Sequence, residues 1–190
     1  DNVSIEIEND KIIHYNKKHK TDFLDVFLCA EAKFFCGNSS GLKAISQCFN
    51  VPISAVNQIG FNVLLQPRNS LLIYKKIFSK DKKRILTFNE MFNLNLFDKK
   101  IGSKAYFTKY YDDNRLVPIE NTKKEIKSLI CDMFDFIDSN KKMPTNLQNE
   151  FKKIFYANYI GIENAGNIAP SFLKLNKKLF VDFNTLSKYL

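Results

Sequence analysis

At 190 residues with 45% hydrophobic content, the chain is long enough for one domain with a sizeable core, or one domain and a fraction. A net charge of +9 admits an acidic partner (nucleic acid, anionic lipid or a phosphorylated substrate) or a solvated coat of dispersed lysine pairs. No run approaches the roughly 18 unbroken apolar residues of a membrane span, no signal-peptide pattern opens the chain, and Cys29, Cys36, Cys48 and Cys131 have neither C-x-x-C nor zinc-ligand spacing.

In chain order, the alternating Val3–Ile7 reads as a strand, with a short extended piece at Ile12, Ile13 and Tyr15 and a basic loop before Thr21. Thr21 or Asp22 caps a short helix bearing Phe23, Leu24, Phe27 and Leu28. Phe34-Phe35-Cys36 reads as a buried strand running into the tight polar turn Gly37-Asn38-Ser39-Ser40-Gly41. Leu42, Ala44, Ile45, Cys48 and Phe49 then recur at helical spacing. Strand, glycine-bearing turn and helix is the arrangement that offers a helix N-terminus to an anion, the glycines permitting positive φ. The turn has neither G-x-G-x-x-G nor the Walker lysine, and small polar residues also simply begin helices.

Asn50-Val51-Pro52 stops that helix, and Ile53–Val56 returns as a strand parallel to the first. Residues 60–69 read as loop, Leu71–Tyr74 as a strand and Lys80–Arg84 as a charged turn. Thr87 with Glu90 forms a capping box for a helix through Met91, Phe92 and Leu94. Residues 98–119 lack periodicity and read as a long loop with short extended pieces. Thr122 and Glu125 box the start of the clearest helix, whose stripe is Ile126, Leu129, Ile130, Met133, Phe134 and Ile137. Asp132, Asp135 and Asp138 fall on its wet side. A further helix spans about Leu147–Tyr159, and Pro170 introduces a last helical turn.

Eighteen Phe and no Trp predict a core built largely on Phe and Ile, with the cysteines as small core residues in a reducing compartment. Asp112-Asp113-Asn114 reads as a solvated turn rather than a metal motif. His14 and His19 have no neighbour that would make a triad. Glu120, at a helix entrance, either complements the helix dipole or accepts hydrogen bonds from ribose hydroxyls.

The run from Asp25 to Leu42, with Phe49-Asn50-Val51-Pro52, Val56-Asn57, Ile73-Tyr74-Lys75-Lys76, Leu86–Glu90 and Glu120-Asn121-Thr122, resembles a known group of sequences. It is similar to the C-terminal, donor-side half of bacterial GT-B glycosyltransferases, in particular a family of surface-polysaccharide gene clusters. The likeness spans about residues 22–138, with an echo in Ile168–Leu173. It implies a Rossmann-like parallel sheet flanked by helices, with extra C-terminal helices, in a single domain over 1–190. It also implies a piece of a longer two-domain chain whose other half supplies the acceptor site and catalytic base. On this resemblance Gly37, Asn38, Ser39, Ser40 and Gly41 contact the diphosphate of a nucleotide-sugar donor, and Glu120, Asn121 and Thr122 lie by its ribose or sugar. No metal and no other cofactor is implied. The acceptor is a surface glycan or lipid-linked sugar, and the setting is cytoplasmic, with peripheral contact at the inner membrane face and no nucleic-acid partner. The rival expectation is a non-catalytic basic α/β module that docks on nucleic acid or on a protein.

Overall fold

The computed structural model describes residues 7, 9–15, 19–59, 67–94, 104–138, 144–156 and 166–179. Helix α1, Asp22–Glu31, starts at Thr21, whose hydroxyl accepts the Leu24 N–H at 3.1 Å. It leads into strand β1, Phe35–Gly37, then helix α2, Gly41–Cys48, and strand β2, Ile53–Gln58. Asn50 ends α2 in the left-handed region at φ 56, a conformation Asn tolerates better than most residues. Strand β3, Ser70–Tyr74, follows residues 60–66. Beyond it the chain crosses Lys75 into β4, Lys76–Ser79, and a second sheet.

Four parallel strands form the first sheet in the order β1-β2-β3-β7, where β7 is Asn167–Ile168. Its register sets Phe35 beside Ile53, Ala55 beside Leu72 and Leu72 beside Ile168. The second sheet is antiparallel, ordered β5-β4-β6, with β5 at Arg84–Ile85 and β6 at Leu116–Ile119. Pro118 sits in β6, which is an edge strand and therefore tolerates its missing N–H.

The remaining helices are α3 (Phe88–Asn93), α4 (Lys104–Asp113), α5 (Lys123–Asp138), α6 (Asn146–Tyr156) and α7 (Pro170–Leu175), followed by a 3-10 turn at Lys177–Leu179. Helix α5 packs on β2 and β3 and spans the sheet from end to end. Its entrance bonds to Asn57 and Tyr74 at the carboxyl ends of the strands. Near its exit, Phe134 meets Phe34 edge-on at 5.1 Å and Asp138 pairs with Lys33 at 2.6 Å. Helices α1 and α2 pack together, and the Ser46 hydroxyl donates to the Cys29 carbonyl at 3.2 Å. The mixed α/β architecture with a helix-flanked parallel sheet is thus the expected Rossmann-like layering.

The core joins β2 and β3 to α3, α5, α6 and α7 through Ile53, Leu71, Leu72, Ile73, Phe88, Met91, Leu129, Met133, Phe151 and Phe172. Each such side chain contributes about 1.5–3 kcal/mol on burial.

Several expectations are corrected. Among the described residues buried Leu outnumber buried Phe, while Phe23 and Phe49 are exposed at 72% and 53%. Of the four cysteines only Cys29 is buried. Strand β1 is an edge strand with Cys36 exposed, because no described strand covers its outer side. Residues 98–119 are not one long loop: α4 and β6 lie there. The helix is carried by tyrosines, which bury a ring while keeping a polar tip. Tyr111 is only 6% exposed, and the Tyr110 hydroxyl donates to the Leu94 carbonyl at 2.9 Å. Asp132 does not lie on a wet face. It is half-buried and accepts from both the N–H and the hydroxyl of Ser171, at 2.9 and 2.7 Å, in the first turn of α7. The expected strand at Val3–Ile7 lies almost wholly outside the described residues, with only Ile7 described.

Candidate functional site

The carboxyl ends of β1, β2 and β3 lie on one side of the parallel sheet, and the chain places polar groups there from two directions. The first is the β1–α2 turn. Asn38, Ser39, Ser40 and Gly41 are all exposed. Ser40 is the N-cap of α2: its backbone is extended, its hydroxyl accepts the Lys43 N–H at 3.3 Å, and its carbonyl accepts the Ala44 N–H at 3.3 Å. That leaves the Gly41 and Leu42 amides with no acceptor among the described residues. In a helix these first N–H groups lie along the axis and carry its positive end.

The glycines serve this turn by size rather than by backbone freedom. Neither Gly37 nor Gly41 has a φ in the left-handed region, which corrects the expectation of positive φ. Gly37 is the last residue of a strand, and a Cβ there would stand 2.9 Å from the Phe35 ring. Gly41 is the first residue of a helix and has no atom within 4 Å of where its Cβ would be. The space above it is open to a ligand.

The second direction is the entrance to α5. Asn121 is 8% exposed, and its amide oxygen accepts the Asn57 N–H at 2.6 Å. Its own N–H donates to the Asn57 side-chain oxygen at 2.7 Å, and its side-chain NH2 donates to the Tyr74 carbonyl at 2.7 Å. Asn57 adopts φ 53 at a register shift in β2, which turns its amide toward Asn121. This clasp ties the end of β2 and the end of β3 to the start of α5. Thr122 forms the expected capping box with Glu125, accepting the Glu125 N–H at 3.2 Å while its own N–H donates to the Glu125 carboxylate at 2.8 Å. Asn121 and Thr122 are therefore committed within the fold. Glu120 is different: its side chain is 65% exposed and it pairs with Lys75, the residue that follows β3. Two strand spacings, about 10 Å across the sheet, separate β3 from β1.

Replacing Asn121 by Leu removes its two side-chain hydrogen bonds, to the Asn57 N–H and the Tyr74 carbonyl, and strands the Asn57 N–H, while the backbone bond to the Asn57 side chain stays. The expected cost is about 3 kcal/mol, read as a lower urea midpoint at unchanged slope. Asn57→Gly keeps the backbone conformation and is expected to lose about 1 kcal/mol.

Beside the turn, α1 and α2 enclose a hollow of about 430 Å³ lined by Asp22, Asp25, Val26, Ser40, Gly41, Leu42 and Ile45. Two carboxylates make this flank hostile to a phosphate. Asp25 is held on its own side by the Tyr15 hydroxyl at 2.8 Å.

Among the described residues no three His, Cys, Asp or Glu side chains gather as a metal site. Asp112 and Asp113 are exposed at the end of α4. No helix of the described residues is long and apolar enough to cross a membrane. No protein-family model, curated protein or solved structure matches the chain. The geometry therefore has to carry the functional argument by itself.

Sequence reasoning brought forward Gly37–Gly41 and Glu120–Thr122, and the fold sets both groups at the same edge of the same sheet. It passed over Asn57 as a partner of Asn121 and did not single out Lys43, whose stem is buried. Only the left-handed preference of Asn gave a local hint of the former, and nothing in the helical pattern distinguished the latter.

Proposed function

We propose that this domain binds a nucleotide-sugar donor, with the diphosphate on the Gly41 and Leu42 amides at the Gly37–Gly41 turn. It would act as the donor-side half of a glycosyltransferase that moves the sugar to a surface-glycan or lipid-linked acceptor. The observation that carries this reading is the pair of acceptor-free amides beneath open space, at the carboxyl end of a parallel strand. Chemically, such amides stabilise the negative charge that builds on a departing diphosphate, and they do so without reorganising. Asn38, Ser39 and Ser40 add exposed hydrogen-bonding groups around the same point. Glu120 has carboxylate capacity left beyond its contact with Lys75. In this reading it accepts a hydroxyl of the ribose or the sugar. Asn121 and Thr122 hold it in place. The general base belongs to the acceptor half that the sequence resemblance implies.

Isothermal titration of the chain with UDP, GDP, CDP and their sugar conjugates tests this. Saturable heats with a dissociation constant below about 1 mM for one nucleotide class are the expected result. Binding to any polyanion, collapsing steeply with salt and indifferent to the nucleotide, would instead identify a basic interaction module.

A further inference from the structure

Of the ten residues of α1, only Asp22, Asp25 and Glu31 are not apolar. At about 3.6 residues per turn the other seven run round the whole circumference, the pattern of a helix that belongs in an interior. Yet Cys29 is its single buried residue, and among the described elements α2 is the one it packs against closely. Helix α2 is turned the same way. Its buried residues are the polar Lys43 and Ser46, whereas Leu42 and Phe49, on one stripe with Ile45, are exposed. Phe23 and Phe27 stack on each other at 5.8 Å on the outside of the molecule. The exposed parts of Phe23, Phe27 and Phe49 alone amount to roughly 300–400 Å². Apolar patches of that extent mark interaction surfaces.

The chemistry of the face selects its occupant. The seam between the two helices is the hollow of about 430 Å³ described above, with Val26, Leu42 and Ile45 as its apolar lining and Asp22 and Asp25 as its charges. No Lys or Arg lines it, although the chain as a whole carries a net charge of +9. A second copy of α1 would bring carboxylates against carboxylates, since α1 has no basic residue of its own. An anionic membrane surface is repelled by the same groups. The backbone groups of α1 and α2 are bonded within their helices, so an extended segment gains no ladder there. A helix satisfies its own backbone and needs only an apolar stripe to lay in the groove.

We infer that the α1–α2 face is the docking surface for an amphipathic helix of a partner protein, its apolar stripe over Val26, Leu42 and Ile45 and a Lys or Arg of its polar face against Asp22 and Asp25. This goes beyond the donor-site reading and does not depend on it.

The test is fluorescence anisotropy of the 190-residue chain with labelled peptides of about 18 residues, built from Leu and Lys at helical spacing, from Leu and Glu at the same spacing, and from Leu and Lys in scrambled order. Saturable binding of the patterned Leu/Lys peptide is the expected result, at least tenfold tighter than that of the other two. Val26→Lys should weaken it at least tenfold at an unchanged melting temperature, and Asp22→Lys should weaken it while improving the Leu/Glu peptide. Val117→Lys, which alters an exposed apolar residue of β6 away from this face, should change nothing. Equal binding of all three peptides, or indifference to Val26→Lys, would overturn the inference. So would a dimer in light scattering that Val26→Lys dissociates, which would assign the face to a second copy. Flotation with phosphatidylglycerol vesicles that Val26→Lys abolishes would likewise overturn it in favour of a membrane. Should Val26→Lys lose its cooperative melt, Phe23→Lys at the most exposed ring decides: folded with weakened peptide binding, it upholds the docking surface; folded with unchanged binding, it overturns it.

Discussion

Substituting Glu125 with Leu should destabilise the domain by about 3–5 kcal/mol, the usual consequence of removing one partner from a buried ion pair. Glu125 is 4% exposed, and its carboxylate serves three elements at once. It accepts from Lys76 of β4 at 2.7 Å, from the Thr122 N–H at 2.8 Å and hydroxyl at 3.0 Å, and from the Asn176 side-chain amide at 2.9 Å. The second sheet, the start of α5 and the end of α7 all meet on this one group. The Lys76 side chain is only 12% exposed, so removing the carboxylate leaves an ammonium with little water to turn to. The double variant Lys76→Met/Glu125→Leu should recover a good part of the loss, because no charge is then left buried. Additive losses in a urea double-mutant cycle would show that the pair is not coupled.

The same carboxylate sets a pH dependence. Burial alone would raise its pKa, but the Lys76, Thr122 and Asn176 hydrogen bonds together hold it below the ordinary Glu range. A lowered pKa in the folded state means stability that is fully present above the unfolded value and is lost as pH falls through the folded one. Glu90 adds in the same direction, held down chiefly by its Arg84 hydrogen bonds and helped by Lys82 and Thr87. Urea midpoints should therefore fall as pH drops below about 4.5, and the fall should be shallower in Glu125→Gln.

What the sequence made legible follows from how local each signal is. The capping boxes at Thr87/Glu90 and Thr122/Glu125 formed because both partners sit within one turn. The α5 stripe was readable because Leu129 and Met133 repeat at helical spacing and are wholly buried. Strand β1 was placed within one residue, yet its burial was misjudged, since whether an edge is covered depends on other strands. Helix α4 was missed because tyrosine is ambiguous in a polar context, and the ring of Tyr111 is buried only through tertiary packing. The Asn57–Asn121 clasp joins residues 64 positions apart, and the Asp132–Ser171 contact joins residues 39 apart. No periodicity reaches that far. For the candidate site the turn was visible as composition, while its free amides and the open space at Gly41 emerged only from the folded structure.

Gly41→Glu should abolish anion binding, by at least a hundredfold, while leaving the fold intact. The two effects come apart for a physical reason. Position 41 opens α2, where a carboxylate interacts favourably with the helix dipole, by about 0.3–1 kcal/mol. No heavy atom lies within 4 Å of the site of a Cβ there, so the backbone accepts the side chain without a clash. Stability should hold or rise slightly. A phosphate approaching the Gly41 and Leu42 amides, however, would meet a fixed negative charge in the space it has to occupy. The same outcome could not be read from Gly37→Val, because added atoms there run into the Phe35 ring at 2.9 Å and a failure to bind could reflect a displaced strand. Paired melts and titrations of Gly41→Glu with pyrophosphate and UDP thus isolate the turn from the fold. An unaltered affinity in a stably folded Gly41→Glu would move the anion site away from α2 altogether, and with it the case for a donor diphosphate at this end of the sheet.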